Sequence, residues 1–411
     1  MAEFYDDLET RDPETREKAL FSALPGLIEN TKKEASVWTA LLEGVDPAAV
    51  TSREALGSLP VLRKFALSEF QAADPPFGGF ASKAVGSYGR LLMSPGPIFE
   101  PEGRGDDRWR SARAFFAAGF RPGDIIHNCF SYHLSPGAFI MEAGAHALGC
   151  TVVPAGVGNT EMQVEAIARL KPSGYSGTPD YLKVLLDAAS EAGKDASSII
   201  RALVSGGALF PSLREEYRGR GVAVLQCYAI AELGLVAYES EALEGMIVEE
   251  GVIVEIVRPG TGDPVADGEV GEVVVTTFSL DYPMIRLATG DLSAVIEGAS
   301  SCGRTNMRIK GWMGRADQAA KMKGMFIRPE QVAEIAKRHP ELGRVRLEIS
   351  RDAAQDVMIL KAECSEANDA FAGKIANTLQ SVTKMKGEVE LVPLGTLPND
   401  GLMIADLRDY D

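Results

Sequence analysis

Residues 124–156 read DIIHNCFSYHLSPGAFIMEAGAHALGCTVVPAG, and the changes of rhythm inside this stretch decide the fold. DIIHNCF is a short apolar run of strand length, whereas GAFIMEAGAHALG carries apolar residues at helical spacing. TVVPAG returns to a short β-branched run. Outward from here the alternation repeats. SARAFFAAGF precedes it as a helix; TEMQVEAIARL (helix), SGYSGT (strand), DYLKVLLDAASEAG (helix), IIRALVSGG (strand), SLREEYRGR (helix) and VAVLQCY (strand) follow. Short apolar strands separated by amphipathic helices predict a parallel sheet wrapped by helices. Sheets of this kind bind ligands beyond the carboxyl ends of their strands. The loops FSYHLSPG, VGNT, SGTPD, SGGALF and AIAELG are therefore where function is expected.

The flanks differ. Residues 1–75 have helical periodicity broken at Pro25, Pro47 and Pro60, and residues 246–280 are β-rich with Gly- and Pro-bearing turns, as in hairpins. The tail reads helix (PEQVAEIAKRH), strand (RVRLEIS), strand (DVMILKAEC), helix (ANDAFAGKIANTLQSVTKM) and strand (VELVPL), a unit long enough to fold by itself. The predicted class is α/β. A large N-terminal domain (1–316) holds the helix-wrapped parallel sheet and a β-rich subdomain, and a small α+β C-terminal domain (317–411) follows.

Composition narrows the function. The chain has 411 residues and a formal charge of −16, which argues against nucleic acid or an anionic membrane surface as a partner. It holds no apolar run long enough to cross a bilayer, and its acidic, amphipathic start is unlike the basic-then-apolar start of a secretion signal. Five cysteines stand singly, without a CxxC pair, as reduced thiols of a cytoplasmic protein do. Against the acidic background, residues 303–328 carry Arg304, Arg308, Lys310, Arg315, Lys321, Lys323 and Arg328 with Asp317 as the one acid. That is either a site for an anionic ligand or a solvated face.

Four motifs sit at ligand-facing positions. Ser205-Gly206-Gly207-Ala208 follows a strand, and its glycines allow either close backbone approach to a flat ligand or a tight turn. Tyr228-Ala229-Ile230-Ala231-Glu232 closes the last parallel strand, offering a ring for a base and an acid for a metal. Asp291 ends an apolar run in a Gly-Asp turn, where a carboxylate can accept from two vicinal hydroxyls. Gly314-Arg315-Ala316-Asp317, with Lys321-Met322-Lys323-Gly324, puts fixed positive charge beside a turn of hinge-like composition. Tyr132 and His133 on FSYHLSPG, with Phe139 just after it, either line a substrate pocket or, for His133, serve structure. Cys227 ends an apolar strand and reads as a core thiol rather than a nucleophile.

In this order the motifs resemble the phenylacetate–CoA ligase family of the adenylate-forming superfamily. The likeness extends from LPVLRK through RPGD, LGCTVVPAGVGNTEMQ, GTPDYL, YAIAELG, DPVADGEVGEVVVTTF, IRLATGD and CGRTNMRIKGWMGRAD to KMKGMFIRPEQV. It implies ATP-dependent activation of a carboxylic acid, aromatic by family expectation, to an acyl adenylate, then transfer to coenzyme A after the C-terminal domain rotates. It implies ATP, Mg²⁺ and coenzyme A as cofactors, no nucleic-acid or membrane partner, and a homodimer as one possible state. By the same resemblance, Tyr228 and Ala229 lie against adenine, and Gly206, Gly207 and Ala208 line the adenine and acyl pockets. Asp291 and Arg315 hold the ribose, Glu232 holds Mg²⁺, and Asp317 is the hinge. Lys323, with Gly324, lies near the approach of coenzyme A.

The chain departs from the family in ways that bear on the first half-reaction. Where relatives carry a loop of the type SSGTTGKP, residues 93–101 read MSPGPIFEP, with Pro97 and Ile98 for the threonines and Glu100 for the lysine. Prolines remove backbone donors, and a glutamate there is expected to add like charge near the phosphates. Ala231 replaces the usual threonine before Glu232. No lysine follows Lys386, although relatives place a catalytic one after the proline of LGTLPNDGLMIADLRD. These changes leave a second reading, a non-adenylating homologue that binds AMP, an acyl adenylate or an acyl-CoA as a thioesterifying partner or sensor. Where some relatives bind structural zinc, only Cys302 remains, so no structural zinc is expected.

Overall fold

The computed structural model describes residues 3–207, 209–316, 320–322, 325–352, 355–365 and 367–408. The parallel sheet predicted from residues 124–228 forms in the spatial order Thr151–Pro154, Ile125–Asn128, Gly174–Gly177, Arg201–Val204, Ala223–Ile230. Its register pairs Ile126 with both Val152 and Gly174, and Ala202 with Tyr175 and Val224. Each crossover contains a helix. Pro179–Glu191 begins with proline at its first turn, where the missing N–H costs nothing, and buries Leu182, Leu185 and Ala189. The sheet then turns antiparallel through Gly234–Glu239, Met246–Val248 and Arg308–Ile309.

The β-rich stretch is more dispersed than local hairpins. Met246–Val248 joins the large sheet, while Val252–Val257, Gly271–Thr277, Leu287–Ser293 and Leu62–Arg63 make a four-stranded one. Residues 90–102, which carry the rewritten loop, are a two-stranded antiparallel hairpin pairing Leu92 with Glu100 and Ser94 with Ile98.

The chain divides into two compact units, one of residues 1–254, 275–287 and 296–311, the other of residues 255–274, 288–295 and 312–411. The second contains a sheet ordered Glu388–Val392, Gln355–Cys364, Leu342–Asp352, Ile404–Asp406, with helices Pro329–Arg338 and Asp369–Thr383. Its core is built on Ile335, Leu347, Ile349, Leu360, Ile375 and Leu379. The tail elements match the sequence pattern. Ile404–Asp406, not anticipated, adds a parallel edge strand beside Leu347–Ile349.

Candidate active site

In the first unit the ligand-facing loops gather at the carboxyl edge of the parallel sheet. Gly206 and Gly207 are exposed beyond Arg201–Val204, and Gly206 has φ +72°. Ser205 Oγ donates to the Cys227 carbonyl (2.8 Å), fastening this turn to the next strand. Tyr228 and Ala229 are half-buried near the end of that strand, and the pairing register shifts between them. Such an irregularity re-aims the side chains that follow it. Ala208 lies outside the described residues.

Tyr132 and Phe139 meet edge to face with ring centroids 5.2 Å apart. The Tyr132 hydroxyl accepts from Asn128 Nδ2 (2.8 Å) and donates to Glu142 Oε2 (2.7 Å). Burial, reinforced by that bond to Glu142, pushes the phenol pKa up. Arg90 stacks over the Phe139 ring at 4.4 Å. His133 is different: it is exposed on the loop, its backbone N–H donating to Ser131 Oγ at 3.2 Å.

Glu232 lies in the turn after Ala223–Ile230 and is 3% exposed. Its Oε2 pairs with Lys64 Nζ (3.0 Å), at the first position of helix Lys64–Ala73. Its Oε1 has no hydrogen-bond partner among the described residues. Mg²⁺ is commonly held by one or two carboxylates plus substrate phosphates, so one buried carboxylate with an unpartnered oxygen fits the protein's share. Among the described residues no group of three or more His, Cys, Asp or Glu could hold a metal ion. Ala231, beside Glu232, is half-buried in the same turn.

Glu100 overturns the expectation of added negative charge. The hairpin pairing turns it inward to 0% exposure, where it accepts from Ser94 Oγ (2.5 Å). Burial, and then the Glu232 carboxylate, raise its pKa to about 8, so at neutral pH it is largely protonated. A small cavity of about 30 Å³ adjoins Glu232 and is lined by Arg108 and Arg110. Lys64, Glu100 and these two arginines were not singled out as site residues by sequence. The pairs lie far apart in the chain, and only LPVLRK, among the family-like segments, contains one of them.

In the second unit Asp291 and Arg315 come together. They are bridge partners, and Arg315 donates to Asp291 Oδ1 at 3.0 Å. Residues 313–316 run along the strand, Ala316 N–H donating to the Gly290 carbonyl (2.7 Å) and Met313 N–H to that of Leu292 (2.9 Å). Trp312, missed by sequence reading, also donates from Nε1 to Asp291 Oδ1 (3.1 Å). Asp317 and Lys323 lie outside the described residues. A larger cavity, about 480 Å³, is lined by Lys337, Arg344 and Arg346, but by none of the described residues predicted from sequence.

Comparison with known proteins points the same way. Residues 109–280 match a family described as AMP-binding enzyme. Over 339 residues the chain is 31% identical to the phenylacetate-coenzyme A ligase of Thermus thermophilus, covering 79% of this chain and 75% of that one. A solved structure of 2-hydroxyisobutyryl-CoA ligase in the postadenylation state with R3-HIB-AMP superposes with TM-score 0.74 and 26% identity, covering 98% of this chain and 92% of that one. The same ligase with 2-HIB-AMP and CoA in the thioesterification state gives 0.72 and 26%, covering 99% and 93%.

Proposed function

The chain belongs to the phenylacetate–CoA ligase family, and from that premise we propose how its residues divide the labour of its reaction. The enzyme activates a carboxylic acid with ATP to an acyl adenylate and passes the acyl group to coenzyme A. In the first step a carboxylate oxygen bonds to the α-phosphorus while the bond to pyrophosphate breaks. In the second, sulfur bonds to the acyl carbon and AMP leaves. The substrate is an aromatic acid, a reading supported by the Tyr132–Phe139 ring pair and by the phenylacetate-coenzyme A ligase relatives.

Glu232 carries the proposal: a buried carboxylate at a strand end with one oxygen steadied by Lys64 and the other without a partner among the described residues. Held there with ATP, Mg²⁺ supplies neutralisation of phosphate charge. Lys64 fixes the orientation of Glu232. Glu100, protonated, adds no repulsion toward the triphosphate. Tyr228, Ala229, Gly206, Gly207 and Ala208 take the adenine side, Asp291 and Arg315 the ribose, and Lys323 the approach of coenzyme A. His133, exposed, is given no role beyond the rim of the acyl pocket. Asp317 remains the proposed hinge for residues 317–411. A cytoplasmic setting is in keeping with five free thiols, and light scattering checks for the homodimer.

The test is release of AMP and pyrophosphate with ATP, Mg²⁺, coenzyme A and a panel of aromatic and short-chain acids. Turnover is expected on an aromatic acid and is lost in Glu232→Ala. Turnover unaffected by that substitution would overturn the assignment.

A further inference from the structure

An exposed indole offers a flat apolar face together with one N–H donor. Trp38 and Trp109 are 1% and 7% exposed, whereas Trp312 is 55% exposed. Its one polar atom is nevertheless committed. Nε1–H donates to Asp291 Oδ1 at 3.1 Å, the same oxygen that receives Arg315 at 3.0 Å. Both donors come from a single short segment registered on the Asp291 strand by the Leu292 N–H to Gly314 carbonyl bond (2.9 Å). Donors that converge on one carboxylate oxygen fix the plane of the group, and a charge-assisted bond does so more firmly than a neutral one. A carboxylate that must accept from ribose hydroxyls gains from being set in advance, because the ordering is then not charged to binding.

We propose that Trp312 is a positioning residue for the nucleotide: its N–H sets the Asp291 carboxylate, and its exposed ring forms a wall beside the ribose that carboxylate receives. The inference rests on the ribose role proposed for Asp291, and the experiment separates the two. AMP is titrated into the full chain, into Trp312→Phe, which keeps a ring and loses the N–H, and into Asp291→Asn, by calorimetry and by tryptophan emission. In the native chain AMP changes the emission, since Trp312 is the exposed indole. Trp312→Phe weakens AMP binding roughly 5- to 10-fold, about what ordering one side chain on binding costs. It raises KM for ATP by a similar factor, keeps kcat within about 2-fold and abolishes the emission change. If Asp291→Asn loses AMP while Trp312→Phe binds as the native chain does, or keeps the emission change, the role of Trp312 is overturned. If Asp291→Asn binds AMP normally, the ribose reading falls, and this inference with it.

Discussion

A single buried carboxylate holds together much of what this chain does, and its neighbours decide its behaviour. Glu232 is buried and paired with Lys64, whose side chain is 27% exposed. Removing one member of a buried pair leaves the other uncompensated, so Lys64→Met should cost about 3 kcal/mol in urea unfolding. Lys64→Met combined with Glu232→Gln should recover most of that loss, and strict additivity would deny the coupling. Glu100 makes a prediction of opposite character. Its ordinary value of 4.5 is raised to about 8 in the fold. Between those values the native chain keeps a proton that the unfolded chain has released, so stability from this group is present below pH 4.5 and lost as pH rises toward 8. The nucleotide-free protein should therefore lose Tm across that window relative to Glu100→Gln. Parallel pH profiles for the two proteins would contradict the buried, protonated state.

The segment 397–402 lies where the family resemblance implies a catalytic lysine. It is tied down by several independent contacts. Asn399 Oδ1 accepts from Val270 N–H (3.3 Å), Arg346 pairs with Asp400, and the Leu402 carbonyl accepts from Arg346 Nε (3.2 Å). Gly401 has φ +71°, and a Cβ there would come within 2.8 Å of Val270. Leu402 packs on Val270, Leu292, Ala294 and Ala316. An apolar anchor thus stands in a segment where relatives place a cation. A preorganised cation of this kind typically contributes 10²–10³ in rate, so that is roughly the ceiling of what Leu402→Lys can restore. The expected outcome is faster ATP-dependent adenylation, read as pyrophosphate release in a single turnover, with coenzyme A transfer from supplied acyl adenylate unchanged. No gain in the first step would remove the missing cation as the limiting factor.

For the whole molecule, ligand linkage gives the broadest check. AMP at about 100 times its Kd should stabilise the fold by about 2.7 kcal/mol, visible as a raised Tm that Asp291→Ala suppresses. How much of this was legible beforehand varies with the distance over which each feature is defined. The alternation in residues 124–156 specified the parallel sheet, because strand and helix periods are local and a parallel sheet buries both faces. Its continuation to residue 228 also located the turns that bear Gly206 and Glu232, since ligand loops follow strand ends. The Asp291–Arg315 pair was legible only through the family-like segments; no spacing rule places residues 24 apart in contact. Only the tertiary structure decided the charge state of the site. Glu100 was read as an added anion, yet the hairpin turns it inward and burial keeps its proton; Lys64, from a helix far upstream, is what meets Glu232. Sequence by itself determined the elements and the order of the ligand-facing loops, through periodicity and turn chemistry. Which charges are buried, paired or neutral was settled by tertiary contact, because desolvation and Coulomb energy depend on distances in space that separation along the chain does not encode.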